Sequence, residues 1–338
     1  MPGIQERVQR CIDGLVASGA ETAVQVAVYR DGAPIVDAVA GPVTSGTPIF
    51  SFSTGKNVTA TLAHLLVARG YLDYDTRIAD LWPEFEARGK GTVTLRHVLT
   101  HTAGLPAMPR EITPGELADW SRVCAALAAA EPRWRPGTAT GYHSYTFGFL
   151  VGELARRATG QPIGELLRDW LTVPLGIEGE LYFGVPSLSG LARIDPGPSW
   201  PAGDNAVLAP WESRPNADFG NDPEILRADI PSVGCVTAHG LAAMFNAVLR
   251  WGLVDATVAF EGVDQVFGNP VRMVLGYPLG PIGSAAAFGW PGGGGSYAYA
   301  DPASRIAFAV TKTRLTPNFD TAFLVDEQIR AADRDRTA

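Results

Sequence analysis

Lysine is scarce in this chain of 338 residues. Of 27 basic side chains only Lys56, Lys90 and Lys312 are lysines. Cysteine is scarce too. Cys11, Cys124 and Cys235 are odd in number and far apart, which leaves neither a disulfide framework nor a metal-binding spacing. Buried thiols in a reducing compartment are the expectation. No run of 18 consecutive apolar residues occurs, so no transmembrane helix is expected. An excess of positive charge is also missing. The net charge of −8 speaks against a nucleic-acid partner and against an anionic membrane surface. Residues 2–18 lack the basic, apolar, small-residue pattern of an export signal. They place Ile4, Val8, Ile12 and Leu15 at helical spacing with Glu6, Arg7 and Arg10 between them, and a cytoplasmic location is expected. What is present is apolar material, 46% of residues, enough for a large core in one big domain or two.

The scarce lysine points to residues 49–70. A strand ending in Ile49-Phe50 runs into the small-residue turn Ser51-Phe52-Ser53-Thr54-Gly55, and a helix rich in Ala, Leu and Val follows until Gly70. Ser53 and Lys56 are three apart at its start, so hydroxyl and amine share one helix face. The helix is apolar nearly all round (Val58, Ala60, Leu62, Leu65, Leu66, Val67), the mark of a buried helix, and a buried lysine needs a reason. A serine becomes a nucleophile beside a group that can take its proton. The helix N-terminus adds backbone N–H groups and a partial positive charge where an oxyanion would form. Taken alone, this stretch also reads as a helix-capping serine and a solvated lysine.

Strands are expected at 24–29 and 35–39, joined by an Asp31-Gly32 hairpin turn. A short helix within 92–106 ends at Gly104-Leu105-Pro106. Residues 113–175 read as helical, with Pro/Gly breaks at 136–137 and 160–162. The segment 184–224 is rich in Pro, Gly, Asn and Asp and carries Trp200 and Trp211. It is too long for an ordinary connection and is expected to wall a site. Thr237 caps a helix to about Trp251. Strands follow at 288–290, 295–300 and 306–311, then a helix from Asp320 to about Ala332. Strands at both ends with helices between imply an α+β fold whose antiparallel sheet is assembled from the two ends. The expected division is residues 1–90 with 235–338 as the sheet-bearing domain and 91–234 as an inserted, mostly helical domain, with a cleft at their junction.

Two more polar clusters face that cleft. In Gly141-Tyr142-His143-Ser144, alternation puts Tyr142 and Ser144 on one side and His143 on the other. An ammonium at Lys56 would lower the Tyr142 pKa and make it a base toward Ser53. By itself the cluster reads equally as a core tyrosine with its hydroxyl bonded. In Trp290-Pro291-Gly292-Gly293-Gly294-Gly295, a glycine-lined edge lets a ligand approach the backbone and offers an N–H to an acyl oxygen, beside the N–H of Ser53. A flexible hairpin and a core tryptophan are the alternative.

Together the three clusters resemble the serine β-lactamase and penicillin-binding-protein superfamily, on its class C-like branch, over nearly the whole chain. Ser53-Thr54-Gly55-Lys56 is similar to its S-x-x-K motif and Tyr142-His143-Ser144 to its Y-x-N/S motif. The segment from Thr94 through His97 and His101 to Leu105 resembles T-L-R-H-L-L-T-H-T-S-G-L, and Arg227 to Gly234 resembles a segment of its esterase members. The resemblance implies a β-lactamase/DD-peptidase-like fold, with Ser53, Lys56 and Tyr142 as catalytic residues. It implies an oxyanion hole from Ser53 and Gly293, substrate contacts from Ser144, Trp290 and Gly292, structural roles for His97 and His101, and no metal or cofactor.

Three departures shape the expected function. Trp290 stands where β-lactamases and D-peptidases carry a cation that holds a substrate carboxylate, Ser144 stands for the asparagine of the second motif, and the export signal is missing. A tryptophan at that position is similar to the family VIII-type carboxylesterases and to acyltransferases of secondary metabolism. The expectation is acyl transfer from a small ester or amide, through acyl-Ser53, to water or to an amine or alcohol. A β-lactamase or D-amino-acid peptidase, and a catalytically idle binding protein, are the alternatives.

Overall fold

The first strand alternates valine with smaller or polar residues, Val24-Gln25-Val26-Ala27-Val28, and the pleat sorts these to opposite faces. A computed structural model describes residues 3–198, 211–212 and 214–337, with side chains described through residue 332; Trp200 lies outside the described residues. The strands in chain order are β1 (Val24–Arg30), β2 (Ala33–Ala40), β3 (Ile49–Phe50), β4 (Leu181–Tyr182), β5 (Cys235–Val236), β6 (Phe260–Val263), β7 (Pro270–Val274), β8 (Tyr277–Pro278), β9 (Tyr297–Asp301) and β10 (Ile306–Lys312). The main sheet is antiparallel in the order β2-β1-β10-β9, with Val26 opposite both Ala38 and Val310. The two ends of the chain thus meet in its centre, and the molecule is an α+β fold.

The two faces of this sheet differ in side-chain size. Val24, Val26, Val28, Phe308 and Val310 form the face that buries Val8 and Ile12 of the N-terminal helix Ile4–Ala17 and Val325 and Ile329 of the C-terminal helix Asp320–Thr337. Ala27, Ala298, Ala300, Ala307 and Ala309 form the other. Alanine lets the helix Ala238–Trp251 lie close against it. Beyond that helix lies the helix Gly55–Ala68, buried without interruption from Gly55 to Leu66. Its polar side chains are all used. Thr59 Oγ1 donates to the Pro231 carbonyl, Thr61 Oγ1 bonds Asn57 O and Tyr277 OH, both at 2.8 Å, and His64 bonds Tyr74 OH at 2.6 Å and Leu275 O at 3.0 Å.

Several expectations need correction. Residues 288–290 are not a strand. Phe288 and Pro291 make single bridges to Ala300 and Tyr297, because Pro291 has no N–H and Gly294 and Gly295, at φ 99° and 107°, turn the chain away. The helical stretch 113–175 resolves into Trp120–Ala129, Thr146–Thr159 and shorter pieces to Leu175, and residues 130–145 run irregularly. The small sheet β6-β7-β8 begins before any strand was expected. Part of the segment 184–224 is helical, over Ala217–Asn221 and Pro223–Arg227, capped by the Asn216 and Asp222 side chains. Among the described residues no helix is long and apolar enough to cross a membrane.

Burial holds His64 and His143 neutral, each with a pKa of about 4. In the unfolded chain each takes a proton near pH 6.5, so between 6.5 and 4 the unfolded state binds more protons. This stability is present above pH 6.5 and lost as pH falls through 4, and amounts to roughly 3 kcal/mol per histidine. The urea midpoint is therefore expected to fall steeply from pH 6.5 to 4, and His64→Gln should flatten that slope while lowering the midpoint at pH 7. A slope unchanged by His64→Gln would contradict this account.

Candidate active site

The turn that presents Ser53 is built from backbone constraints on both sides. Ser51 N donates to Gly234 O at 2.9 Å, which ties the end of β3 beside β5, and Thr54 Oγ1 donates back to Ser51 O at 3.1 Å. Phe52 takes φ +50°, a conformation bulky residues avoid, and its ring packs edge-on against Phe50 at 4.9 Å. The helix then starts at Gly55. A Cβ there would lie 2.2 Å from Val233 C and 2.3 Å from its O, so only glycine lets residues 232–234 lie on the helix start. That contact brings Ser232 O to 3.3 Å from Lys56 Nζ.

Lys56 is fully buried, and its Nζ lies 3.1 Å from Ser53 Oγ. Among the described residues no carboxylate pairs with it. Burial without a counter-charge holds its pKa well below 10.5. On the other side of Ser53 Oγ, at 2.5 Å, is Tyr142 OH. The ammonium at Lys56 was expected to lower the Tyr142 pKa. The direction is opposite. Burial pushes Tyr142 up, the bond to Ser53 offsets part of this, and nearby Asp264 adds to the rise. Desolvation of the phenolate is the largest effect and decides the direction. Lys56 Nζ lies 4.7 Å from the centre of the Tyr142 ring.

Tyr142 is held by its neighbours in sequence and space. His143 Nε2 accepts from Leu105 N at 3.0 Å, and its Nδ1 lies 2.6 Å from Gly141 O. His101 has a larger place than its structural assignment gives it. Its Nδ1 accepts from His143 N at 2.7 Å, and its ring is stacked between Tyr142 (5.6 Å, 8°) and Phe147 (5.0 Å, 2°). His97 caps its helix with Thr94. Ser144 lines the cavity, but its hydroxyl donates to Glu212 O at 3.2 Å, so toward a ligand it offers lone pairs.

Trp290 is clamped. Its N–H donates to Asn57 Oδ1 at 2.7 Å, its carbonyl accepts from Asn57 Nδ2 at 3.2 Å, and its indole N–H donates to Gly276 O at 2.7 Å. The indole therefore turns carbon to the cavity. A Cβ at Gly292 would lie 2.1 Å from Ser51 O, so this glycine sets how closely the third cluster approaches the Ser53 turn. The N–H of Gly293 finds no acceptor among the described residues.

These groups line one cavity of about 410 Å³ with Ser53, Tyr142, Ser144, Trp290, Gly292 and Gly293 in its wall. The sequence reading missed Asn57, Glu212, Asp264 and Phe267. Asn57 had a signal, a polar residue next to Lys56 in a helix read as buried. Glu212 and Asp264 had none, since each sits in irregular chain. Burial raises the pKa of both carboxyls. Among the described residues no three His, Cys, Asp or Glu side chains gather as a metal ion would need.

The Beta-lactamase family model matches residues 8–332. The chain is 33% identical over 332 residues to Esterase/beta-lactamase LipL of Mycobacterium tuberculosis (strain ATCC 25618 / H37Rv), covering 86% of this chain and 76% of that protein. It is 27% identical over 158 residues to Monacolin J acid methylbutanoyltransferase of Aspergillus terreus, covering 40% and 38%. A crystal structure of a family VIII carboxylesterase superposes with a TM-score of 0.90 at 28% identity, over 97% of both chains.

Gly55→Ala and Gly292→Ala are each expected to cost about 1–3 kcal/mol in urea unfolding, because a methyl group there meets backbone that cannot yield. Gly14→Ala, in a helix with open space around its Cα, should leave stability unchanged or raise it. Equal effects at all three positions would remove the close-approach argument.

Proposed function

The chain belongs to the beta-lactamase family, and on that premise we propose that Ser53 is the nucleophile and that Lys56 and Tyr142 move its proton. The protein is a serine hydrolase or acyltransferase that acts on small molecules. The observation that carries the residue assignment is Ser53 Oγ lying between Lys56 Nζ (3.1 Å) and Tyr142 OH (2.5 Å) at the wall of a largely apolar cavity. Ser53 Oγ attacks the ester carbonyl carbon as its proton passes to the pair. The N–H groups of Ser53 and Gly293 receive the developing oxyanion. The pair returns the proton to the departing alcohol, which leaves acyl-Ser53. Water, an amine or another alcohol then attacks. Its proton passes through the same pair, and Ser53 regains its own.

Burial lowers the Lys56 pKa and raises that of Tyr142, which supports the lone pair on Lys56 Nζ as the acceptor and Tyr142 as a relay on the cavity side. We also propose that the cavity lies between two domains, residues 1–90 with 235–338 and residues 91–234. Trp290, Ser144 and Gly292 bound the substrate. Trp290 offers carbon where a carboxylate-binding cation would stand, which supports esters without a free carboxylate over β-lactams. An apolar wall that excludes water favours an organic acceptor, which supports transfer beside hydrolysis.

Ser53→Ala should fold normally and lose covalent labelling by a fluorophosphonate; continued labelling at another serine would overturn the assignment. Tyr142→Phe and Lys56→Ala should each remove most of the rate, and the double variant little more, since both serve one proton path. Losses that multiply would separate them. Because the pair acts as a base and burial lowers the Lys56 pKa, the acylation rate should rise with pH and level off below 10.5, at an apparent value that belongs to the pair. A rate independent of pH from 5 to 10 would contradict this. Partitioning decides the acceptor. With an activated ester and added amine or alcohol, transfer above the uncatalysed rate marks a transacylase, and its absence marks an esterase.

A further inference from the structure

The charges around the cavity are one-sided. Glu212 and Asp264 line it, and no lysine or arginine does so among the described residues. Lys56 is outside this lining, fully buried, and burial holds its pKa well below that of a free lysine. His101, which does line the cavity, uses Nδ1 as an acceptor and is also held neutral by burial. The two carboxyl groups differ. Asp264 is absorbed by its own turn, where Oδ1 accepts from Val266 N at 2.7 Å and Phe267 N at 2.9 Å. Glu212 is only 7% exposed. Its Oε1 accepts from Met108 N at 2.7 Å, but among the described residues its Oε2 has no hydrogen-bond partner. A carboxyl group that is more than nine-tenths buried with one oxygen unpartnered carries an unmet desolvation cost. A ligand bearing an N–H donor and a positive charge offsets that cost. The aromatic side chains of Tyr142, Tyr145, Phe267 and Trp290 in the same wall favour a cation further.

We propose that Glu212 forms an ammonium subsite, so that the small ester taken by this enzyme carries a protonated amine away from the reacting carbonyl. This rests on the acyl-transfer reading above. The amine belongs either to the acyl group or to the alcohol. An amine that attacks the acyl-enzyme must itself be neutral, so the ammonium is a recognition group and not the nucleophile. The same one-sided charge rejects substrates with a free carboxylate.

The test uses two matched pairs of esters at a pH where the amine is protonated. One pair is an aminoacyl ester and its deaminated isostere. The other is an ester of an amino alcohol and its alkyl isostere. In the wild-type protein, kcat/KM is expected to favour the cationic member of one pair by about tenfold to a hundredfold, the range of a hydrogen bond to a charged group. The pair that responds shows which side carries the amine. Glu212→Gln keeps an acceptor for Met108 N and removes the charge, and should bring that ratio close to one. A wild-type ratio of one or below in both pairs overturns the subsite, as does a preference that survives Glu212→Gln. If Glu212→Gln does not fold, competitive inhibition of the wild-type protein decides. An alkylammonium should inhibit more strongly than the isosteric alcohol, and equal or weaker inhibition overturns the proposal. Burst release from a neutral activated ester and labelling of Ser53 report the acyl-transfer reading separately. Their failure would sink that reading, whereas their success with flat ratios would sink only the subsite.

Discussion

A lysine is buried in this protein with no carboxylate to meet it among the described residues, and the rest of the site follows from that constraint. Taking an ammonium out of water costs several kcal/mol even after relaxation. A neighbouring carboxylate would repay part of that cost and hold the proton on nitrogen, which would leave no lone pair for a serine. Burial instead pulls the Lys56 pKa well below that of a free lysine. Its Nζ rests between a hydroxyl and a backbone carbonyl, partners that suit a neutral amine. Tyr142 faces the same desolvation with the opposite consequence, since burial keeps its proton on. Burial thus moves both groups toward their neutral forms on either side of Ser53, as the proposed proton path requires. The low-polarity walls are part of the chemistry, because water in the site would restore the charge on Lys56.

Glycine supplies the precision of this assembly. At Gly55, Gly148 and Gly292 a Cβ would come within 2.3 Å of backbone atoms from residues 231–233 or from Ser51. The segment from Arg227 to Gly234 is the neighbour at both Gly55 and Gly148. Its Pro231 and Ser232 carbonyls accept from Thr59 and Lys56, and Ser232 Oγ takes Gly148 N and gives to Tyr145 O, both at 2.7 Å. A stretch that lines little of the cavity thus fixes the helix of Ser53 against the helix that follows Tyr142.

Much of this was legible in the residues, and the limits have physical causes. The sheet from both chain ends was readable because valine alternation, a hairpin turn and terminal strands are local signals. Ser53, Lys56 and Tyr142 were readable because each sits at a helix start marked by small residues or a Pro-Gly turn. The direction of the Tyr142 shift was not, because it depends on whether Lys56 keeps its proton, and that is set by what surrounds Lys56 in space. Residues 288–290 have strand-like composition, but Pro291 and the glycines after it decide the backbone. Glu212 could not be found, since it stands in irregular chain and its meaning comes from Ser144, Met108 and an oxygen left without a partner. His101 was assigned to scaffolding. Only its stacking on Tyr142 shows that scaffold and site are the same residue.

The buried helix Gly55–Ala68 has a temporal consequence. Its polar side chains reach Pro231, Ser232, Leu275, Tyr277 and Trp290, all more than 170 positions later. On a ribosome the helix emerges long before any of these partners exists. Until they arrive, the Asn57 and Thr59 side chains lack these partners, and Lys56 and His64 keep only the local ones, Ser53 and Tyr74. The reactive centre is thus written first and assembled last, at the end of a high contact-order search. A chain halted before its final strands would own Ser53 and Lys56 but not the full environment that lowers the lysine's pKa. On the roles proposed for these residues, catalytic competence reports completion of the fold.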